Sequence, residues 1–309
     1  MFEYTLNNHF KFGFNHLNQY QSRTSIEDIF TFEYGKTTDP NISWKAANEK
    51  AAKEIYEKKI GDIYILLSGG LDSEICLRSF ADQNLPLRAV TLRFSDAIQH
   101  EEIKYIEILK KEIDFKHEYI DVKISDFLTS DIFYSTADYV KCQIPLLSCH
   151  MWLANQLDGT PIIAQGEVLL HKTVESNYIP GQTPYLPSSW KLSESEVFCS
   201  LYMNFILRKK PAIPGFFQYL PEQIYSFLTK NPYLEKLVNN EVIGKLSTRT
   251  SKNKMILQFY QNAADRQKLH GFETILDLHE NTRNLLEQRF QGHSGFAEIE
   301  YTELIKKLT

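Results

Sequence analysis

The sequence predicts an α/β protein, a doubly wound parallel sheet followed by a mainly helical carboxyl-terminal region. Three observations carry that prediction. Short apolar runs alternate with amphipathic stretches from Ile60 to about residue 165, the rhythm of parallel strand and crossover helix. The apolar run Ile63-Tyr64-Ile65-Leu66-Leu67 ends on Ser68-Gly69-Gly70-Leu71-Asp72-Ser73, a junction of buried strand, sharp turn and helix start. From Gly181 onward the pattern changes to long helical stretches broken by Pro211, Pro214, Pro221 and Pro232.

Taken in order, residues 1 to about 57 are aromatic and polar without a strand rhythm, and end in an Ala-, Glu- and Lys-rich helix near Trp44 to Lys59. Then follow a strand at 62–67, a helix at 72–84, a strand at 87–94, a helix at 99–113 and a strand at 117–122. Helices between 124 and 158 lead to a strand at 161–165. After residue 181 the only further strand expected is Phe296 to Glu300. The implied organisation is an N-terminal extension (1–59), a nucleotide-binding domain (60–180) and a helical region (181–309) completing the site. The Gly-, Pro- and Ser-rich segment 167–190 reads as a crossing over that site or an ordinary linker.

The glycine pair lets backbone approach a ligand closely, and the helix behind it turns unpaired amides and a positive dipole end toward the loop. Phosphate is the natural occupant. Asp72 or Ser73 can cap that helix, whose apolar face carries Ile75, Cys76 and Phe80. No Gly-Lys-Ser/Thr follows the glycines, which sets the loop apart from a Walker loop.

Composition narrows the classes. With 43% hydrophobic and 24% charged residues the chain is of ordinary globular type, and its net charge of -5 gives no overall attraction to polyanions. No basic segment followed by an apolar one opens the chain and no apolar window is long enough to span a membrane, so a cytoplasmic location is expected. Cys76, Cys142, Cys149 and Cys199 form no CxxC pair, and the histidines show no metal-ligand spacing, so free thiols and no structural zinc are expected. Cys149 and His150 are neighbours in sequence, which on a helix points them apart.

The Ser-Gly-Gly-x-Asp-Ser loop resembles the pyrophosphate loop of the PP-loop ATP pyrophosphatases, the adenine nucleotide alpha hydrolase-like family, whose members cut ATP between its α and β phosphates. In order along the chain, Thr91 to Phe94, Lys116-His117-Glu118-Tyr119 and Gln165-Gly166-Glu167 resemble the strand ends of one branch, the synthetase domain of asparagine synthetase and its relatives. The resemblance covers roughly residues 60 to 170. It implies ATP as substrate, with its phosphates on Ser68, Gly69, Gly70 and Ser73, and Mg2+ on Asp72, a carboxylate suited to a metal that bridges phosphates. It also implies adenine beside Leu92, backbone approach at Gly166, and Glu167 as general base or orienting acceptor. A cation from the helical region should reach the leaving pyrophosphate; Lys252 and Lys254 are the first candidates, with Arg249, Arg266 and Lys268 nearby in sequence. Arg208-Lys209-Lys210 reads instead as a basic helix C-terminus.

Two departures qualify the resemblance. The branch continues Ser-Gly-Glu with an acidic segment, whereas Val168-Leu169-Leu170-His171 stands here and Leu170 replaces an expected metal-holding acid. The branch's glutaminase domain begins Met-Cys, whereas Phe2 follows Met1, so ammonia, a separate amidotransferase subunit or another amine is the expected nitrogen source. The expected function is thus an ATP-dependent carbon-nitrogen ligase that adenylates a small-molecule carboxylate. Two alternatives stand beside it. One activates a nucleobase or tRNA carbonyl for amination or thiolation, although the acidic net charge disfavours nucleic acid. The other is a non-catalytic nucleotide-binding regulator.

Overall fold

A computed structural model describes residues 9–15, 23–95, 100–172, 190–239, 248–263 and 280–309. The first elements are β1 (Lys11–Phe14) and β2 (Phe30–Glu33), an antiparallel pair in which Phe12 faces Phe32 and Phe14 faces Phe30. This pair corrects the expectation of an N-terminal segment without strands. Three consecutive residues of β1, Phe12 to Phe14, are buried, so the strand lacks the polar alternation that marks a half-buried strand in sequence. Its rings pack on Tyr34 and Tyr202, with Phe10 and Tyr34 stacked at 5.1 Å and Phe12 edge-on to Tyr202 at 5.8 Å.

Helix α1 (Trp44–Lys58) starts at Ser43, whose hydroxyl accepts the amide of Ala46 at 3.2 Å. Its buried positions Trp44, Ala47, Ala51, Ala52 and Ile55 recur at helical spacing and form one stripe. Then come the α/β units: β3 (Asp62–Leu66), α2 (Leu71–Ala81), β4 (Arg88–Phe94), α3 (His100–Glu112) and β5 (Lys116–Val122). Helices α4 (Ile124–Leu128), α5 (Asp131–Val140) and α6 (Pro145–Gln156) lead to β6 (Gly159–Ile162). All four strands are parallel and the sheet order is β5-β4-β3-β6, with Leu66 beside Val90 and Ile65 beside Ile162. The predicted doubly wound parallel sheet is therefore present, with boundaries within a few residues of those read from the sequence.

That order contains a reversal. After β3 the chain adds β4 and β5 on one side, and β6 then joins the other side of β3. The carboxyl ends of β3 and β6 thus flank a topological switch point, where an open parallel sheet leaves a crevice.

The second half is mainly helical, as expected, but holds more strand than the one expected at Phe296 to Glu300. β7 (Leu170–Lys172), β8 (Trp190–Ser195) and β9 (Phe296–Glu300) form an antiparallel sheet in the order β7-β8-β9. Only β9 is anticipated by the sequence. β7 has three residues, and β8 places Trp190, Leu192 and Glu194 on one face, so a carboxylate interrupts its apolar alternation. Around this sheet lie α7 (Glu196–Arg208), a 3-10 turn (Phe216–Gln218), α8 (Pro221–Lys230), α9 (Pro232–Val238), α10 (Thr248–Leu257), α11 (Glu280–Arg289) and α12 (Tyr301–Leu308). Arg208 ends α7 and Lys209 follows it in the left-handed conformation, the basic helix C-terminus read from the sequence. Residues 173–189 of the expected crossing segment lie outside the described residues. Among the described residues no helix is long and apolar enough to cross a membrane.

One apolar cluster runs from Phe10 and Trp44 through Ile65, Ile75, Phe80, Phe216 and Phe227 to Leu304 and Leu308. Trp44 is its hub, stacked on Phe217 at 5.6 Å and edge-on to Phe227 at 5.0 Å and Tyr260 at 5.7 Å. Removing it should open a cavity at the junction of α1, α8 and the turn after α10. We expect Trp44→Ala to lower the unfolding free energy by about 3–5 kcal/mol in urea titration; a loss below about 1 kcal/mol would mean that α1 is not part of this core.

Candidate functional site

Ser68 to Ser73 form the turn between β3 and α2, at the carboxyl edge of the sheet. Gly69 has φ +80°, and a Cβ there would lie 2.3 Å from the carbonyl oxygen of Glu102 in the first turn of α3. Only glycine fits both the backbone conformation and the space. The helix that follows begins with Gly70 as its N-cap, without a side-chain cap, which corrects the expectation that Asp72 or Ser73 caps it. Ser73 faces back into the turn instead: its hydroxyl donates to the Gly70 carbonyl at 3.0 Å and accepts the Ser68 amide at 3.2 Å. The Ser68 hydroxyl in turn accepts the Gly70 amide at 3.2 Å. The first helical bond runs from Glu74 N–H to Gly70 C=O, so the amides of Leu71, Asp72 and Ser73 precede the helical ladder.

The strand beneath this turn is clamped from its neighbours. Thr91, buried in β4, donates its hydroxyl proton to the carbonyl of Leu67 at 2.6 Å. That leaves its oxygen as acceptor for Nε2–H of His117 in β5, at 2.9 Å, which fixes the imidazole tautomer. Desolvation, with help from nearby Lys110, lowers the His117 pKa to about 4, so the ring is neutral at pH 7. Leu92 lies one residue beyond Thr91, in register with Ile120 and partly buried, at the strand end where the adenine is expected.

Across the crevice, β6 runs on into Gln165, Gly166 and Glu167. The segment before α8 docks along it: Ile163 N–H reaches Ile213 O at 2.9 Å and Phe217 N–H reaches Gln165 O at 3.0 Å. Gly166 has φ +84°, and a Cβ there would lie 2.3 Å from Cγ of Gln218. The Gln218 side chain therefore lies flat against the backbone that presents Glu167. Its amide is held by Tyr202 O–H at 3.0 Å, and it donates to Tyr34 Oη at 3.1 Å and to Glu194 Oε1 at 2.7 Å.

Lys252 of α10 closes the site. Its ammonium donates to Asp72 Oδ2 and, at 2.7 Å, to Glu167 Oε1, so residues 180 and 85 positions apart meet at one atom. Burial alone would disfavour the ammonium; Glu167 and Asp72 outweigh it and raise the Lys252 pKa above the ordinary lysine value. Beneath the cluster lie Trp44, Val168, Phe217, Phe227 and Ile256, an apolar floor that excludes water from one side of the three charges.

Of the two lysines singled out in the sequence, the structure brings only Lys252 to this point. Lys254 is exposed, since two residues along a helix turn the side chain about 200° away. The side chain of Arg249 and residues 266 and 268 lie outside the described residues. Leu170, where an acid is expected, is a buried residue of β7 paired with Leu192. Cys149 and His150 make no dyad: both are on α6, burial pushes the thiol well up, and desolvation lowers the imidazole pKa to about 4. Cys76, Cys142 and Cys199 are buried free thiols as well. Sequence reasoning missed Gln218 and Glu194, which carry no motif. The one local signal is a Glu on the inward face of a strand otherwise formed by Trp190 and Leu192.

Asp72 suits Mg2+ as a single carboxylate ligand whose remaining positions would be taken by phosphate oxygens and water. Among the described residues no group of three or more His, Cys, Asp or Glu side chains stands ready as a preformed cage.

Residues 62–145 match a family model described as queuosine biosynthesis protein QueC. That span begins at β3 and includes the whole glycine turn. No curated protein matches the chain. A solved structure that does match is NMN synthetase from Francisella tularensis, with 17% identity, a TM-score of 0.27, and coverage of 40% of this chain and 54% of that one. The match thus spans about half of that enzyme's length. The family-model match supports a PP-loop, adenine nucleotide alpha hydrolase-like assignment for the parallel-sheet portion, and closeness to asparagine synthetase is not shown by these comparisons.

Two substitutions probe the turn. Thr91→Val strips the Leu67 carbonyl of its donor and His117 of its acceptor, and should cost about 1–3 kcal/mol in urea unfolding, with Thr91→Ser recovering most of it. Gly69→Ala forces a left-handed alanine against the α3 backbone and should cost about 2 kcal/mol or more by the same measure.

Proposed function

Starting from a PP-loop turn at the switch point of a parallel sheet, we propose that the protein is an ATP-dependent synthetase that adenylates a substrate carboxylate, releases pyrophosphate and transfers the acyl group to an amine or ammonia. The observation that carries this reading is the convergence of Asp72, Glu167 and Lys252 beside the glycine turn. In this reading Ser68, Gly69, Gly70 and Ser73 hold the phosphates, and the amides opening α2 face their charge. Asp72 would hold Mg2+, which when bound neutralises and bridges the phosphate oxygens. Leu92 lines the adenine position and Gly166 lets the backbone come close to the nucleotide.

Lys252 has the role of counter-charge. An ammonium carries three N–H donors, and the two carboxylates take two of them. The third can meet the developing charge of pyrophosphate as it leaves the α phosphate. Glu167, held by Lys252 and presented by Gly166, orients the incoming amine or accepts its proton as the acyl-adenylate is opened. The bond broken in ATP is α–β, and the products are AMP, pyrophosphate and an amide.

The family-model match to a queuosine biosynthesis protein favours a second reading, in which the same adenylation acts on a carboxyl or carbonyl group of a nucleobase-type substrate. Exchange of labelled pyrophosphate into ATP, run against panels of amino acids, simple carboxylates and nucleobase carboxylates with Mg2+, separates the two and identifies the acceptor class. We expect AMP and pyrophosphate as products. Lys252→Met should lower the exchange rate about a hundredfold or more, and Asp72→Asn should abolish it; formation of ADP and phosphate would overturn both readings.

A further inference from the structure

The side chains beneath Gly166 form a connected polar set that the adenylation chemistry does not use. Glu194 of β8 accepts the Tyr34 hydroxyl and, at 2.7 Å, the Gln218 amide. Gln218 is almost fully buried, receives Tyr202 O–H at 3.0 Å on its side-chain oxygen, and accepts Nε2–H of His9 on its main-chain carbonyl. Both amide N–H groups, the side-chain oxygen and the main-chain carbonyl of this glutamine thus each have a partner, and its Cγ and Cδ press against the Gly166 backbone. Gly166 precedes Glu167, and Glu167 meets Lys252 at 2.7 Å. A displacement of the Gln218 amide must therefore be passed to Gly166, because no free space separates them.

We propose that Glu194 is a positioning residue which, through Gln218 and Gly166, sets Glu167 against Lys252. The proposal deepens the reading of Glu167 as the site carboxylate and rests on it. Three chain regions outside the parallel sheet converge on Gln218: His9 and Tyr34 from the amino-terminal segment, Tyr202 from α7, and Glu194 from β8. Tyr34 and Gln218 donate to the same oxygen of Glu194, Oε1, and the carboxylate charge strengthens both bonds. A proton on that carboxyl would remove the charge and weaken its hold on the amide.

The surrounding groups isolate this proton. Desolvation, reinforced by the charge of Glu167, lifts the Glu194 pKa to about 7 in spite of its two hydrogen bonds. Tyr34 and Cys199, which face it, are pushed well above their ordinary values and stay neutral, and desolvation holds His9 at about 4. Tyr202 faces Gln218, and Glu196 lies next along the chain beyond Ser195, paired with Arg23 at 2.8 Å. Of Glu194, Tyr34, Cys199 and His9, Glu194 is the one whose charge changes between pH 6 and 8. Loss of that charge on acidification should loosen Glu167 from Lys252.

Competitive acetylation of the full-length protein with labelled acetic anhydride reads this without any substrate. The reactivity of Lys252 is expressed relative to exposed Lys254, an internal reference in the same peptide. In the wild-type protein the Lys252/Lys254 ratio should be low at pH 8 and rise as pH falls through 7. Glu194→Ala should raise it about tenfold at pH 8, the effect of one charge-assisted bond lost. Glu194→Gln keeps the acceptor oxygen without the charge, and should hold the ratio at the wild type's low-pH value at every pH. If Glu194→Ala does not fold, the wild-type profile against that of Glu194→Gln decides. A ratio independent of pH in the wild type, or a Glu194→Gln profile identical to it, would overturn the proposal. Absence of pyrophosphate exchange in the wild type, by contrast, would overturn the adenylation reading and leave the acetylation result to stand for the positioning role by itself.

Discussion

One ammonium group joins the parts of this molecule that chemistry requires to meet. Lys252 belongs to α10 in the carboxyl-terminal half, Asp72 to the first turn of α2, and Glu167 to the chain leaving β6, so the crevice joins two segments of the parallel-sheet units to one from outside them. Two carboxylates side by side over an apolar floor would repel each other and resist burial. The lysine between them changes the sign of the problem, since each carboxylate favours the charged form of the amine that favours theirs. In the proposed reading the same constraint serves polyphosphate binding: an anion entering at the glycine turn would find a cation already desolvated, with little reorganisation left to do.

Holding that cation in place is the work of two buried polar sets, one on each side of it. On the α10 side, Gln223 donates to Asn48 at 2.8 Å, Asn48 donates to Tyr260 at 3.0 Å, and Asn231 donates to the carbonyl of Met255 at 3.2 Å. These bonds tie α1 and α8 to the carboxyl end of α10, while Trp44 fills the space among them. On the β6 side, Gln218 supports Gly166. Buried polar sets of this kind specify a unique arrangement because each broken bond would strand a partner away from water. The site is therefore positioned from outside the sheet by residues that lie far apart in the sequence, and the amino-terminal segment supplies members of both sets.

This division explains what could be read from the sequence. The strand, turn and helix from Ile63 to Phe80 were legible because every requirement is local: an apolar run, two glycines, and a helical stripe within eighteen residues. The sheet followed from the same rhythm repeated. Lys252 was legible only as one of several cations, since helical phase against a partner 180 residues away decides between it and Lys254. β1 was hidden because consecutive residues are buried, and β8 because its inward face carries Glu194 where an apolar residue would have marked the alternation. Gln218 has no local signature, and Glu194 shows only as a Glu on the face of β8 shared with Trp190 and Leu192. Their roles exist only once Gly166, Tyr34 and Tyr202 have been brought to the same place.

Leu170 shows the same logic from the opposite side. The acidic residue that the resemblance leads one to expect there would have to face the metal, yet the chain enters β7 at this residue and buries its side chain against the core, paired with Leu192. A carboxylate at that position would be desolvated in the apolar cluster that Leu170 joins, a costly arrangement. Since Val168 and Leu170 are both in the apolar cluster, the segment after Glu167 is committed to packing. In the proposed reading, Mg2+ would then be held by Asp72 without a second carboxylate from this segment, and the positive charge of Lys252 would carry part of the charge neutralisation. A buried Leu170 and a lysine between Asp72 and Glu167 are in that reading two parts of one electrostatic arrangement.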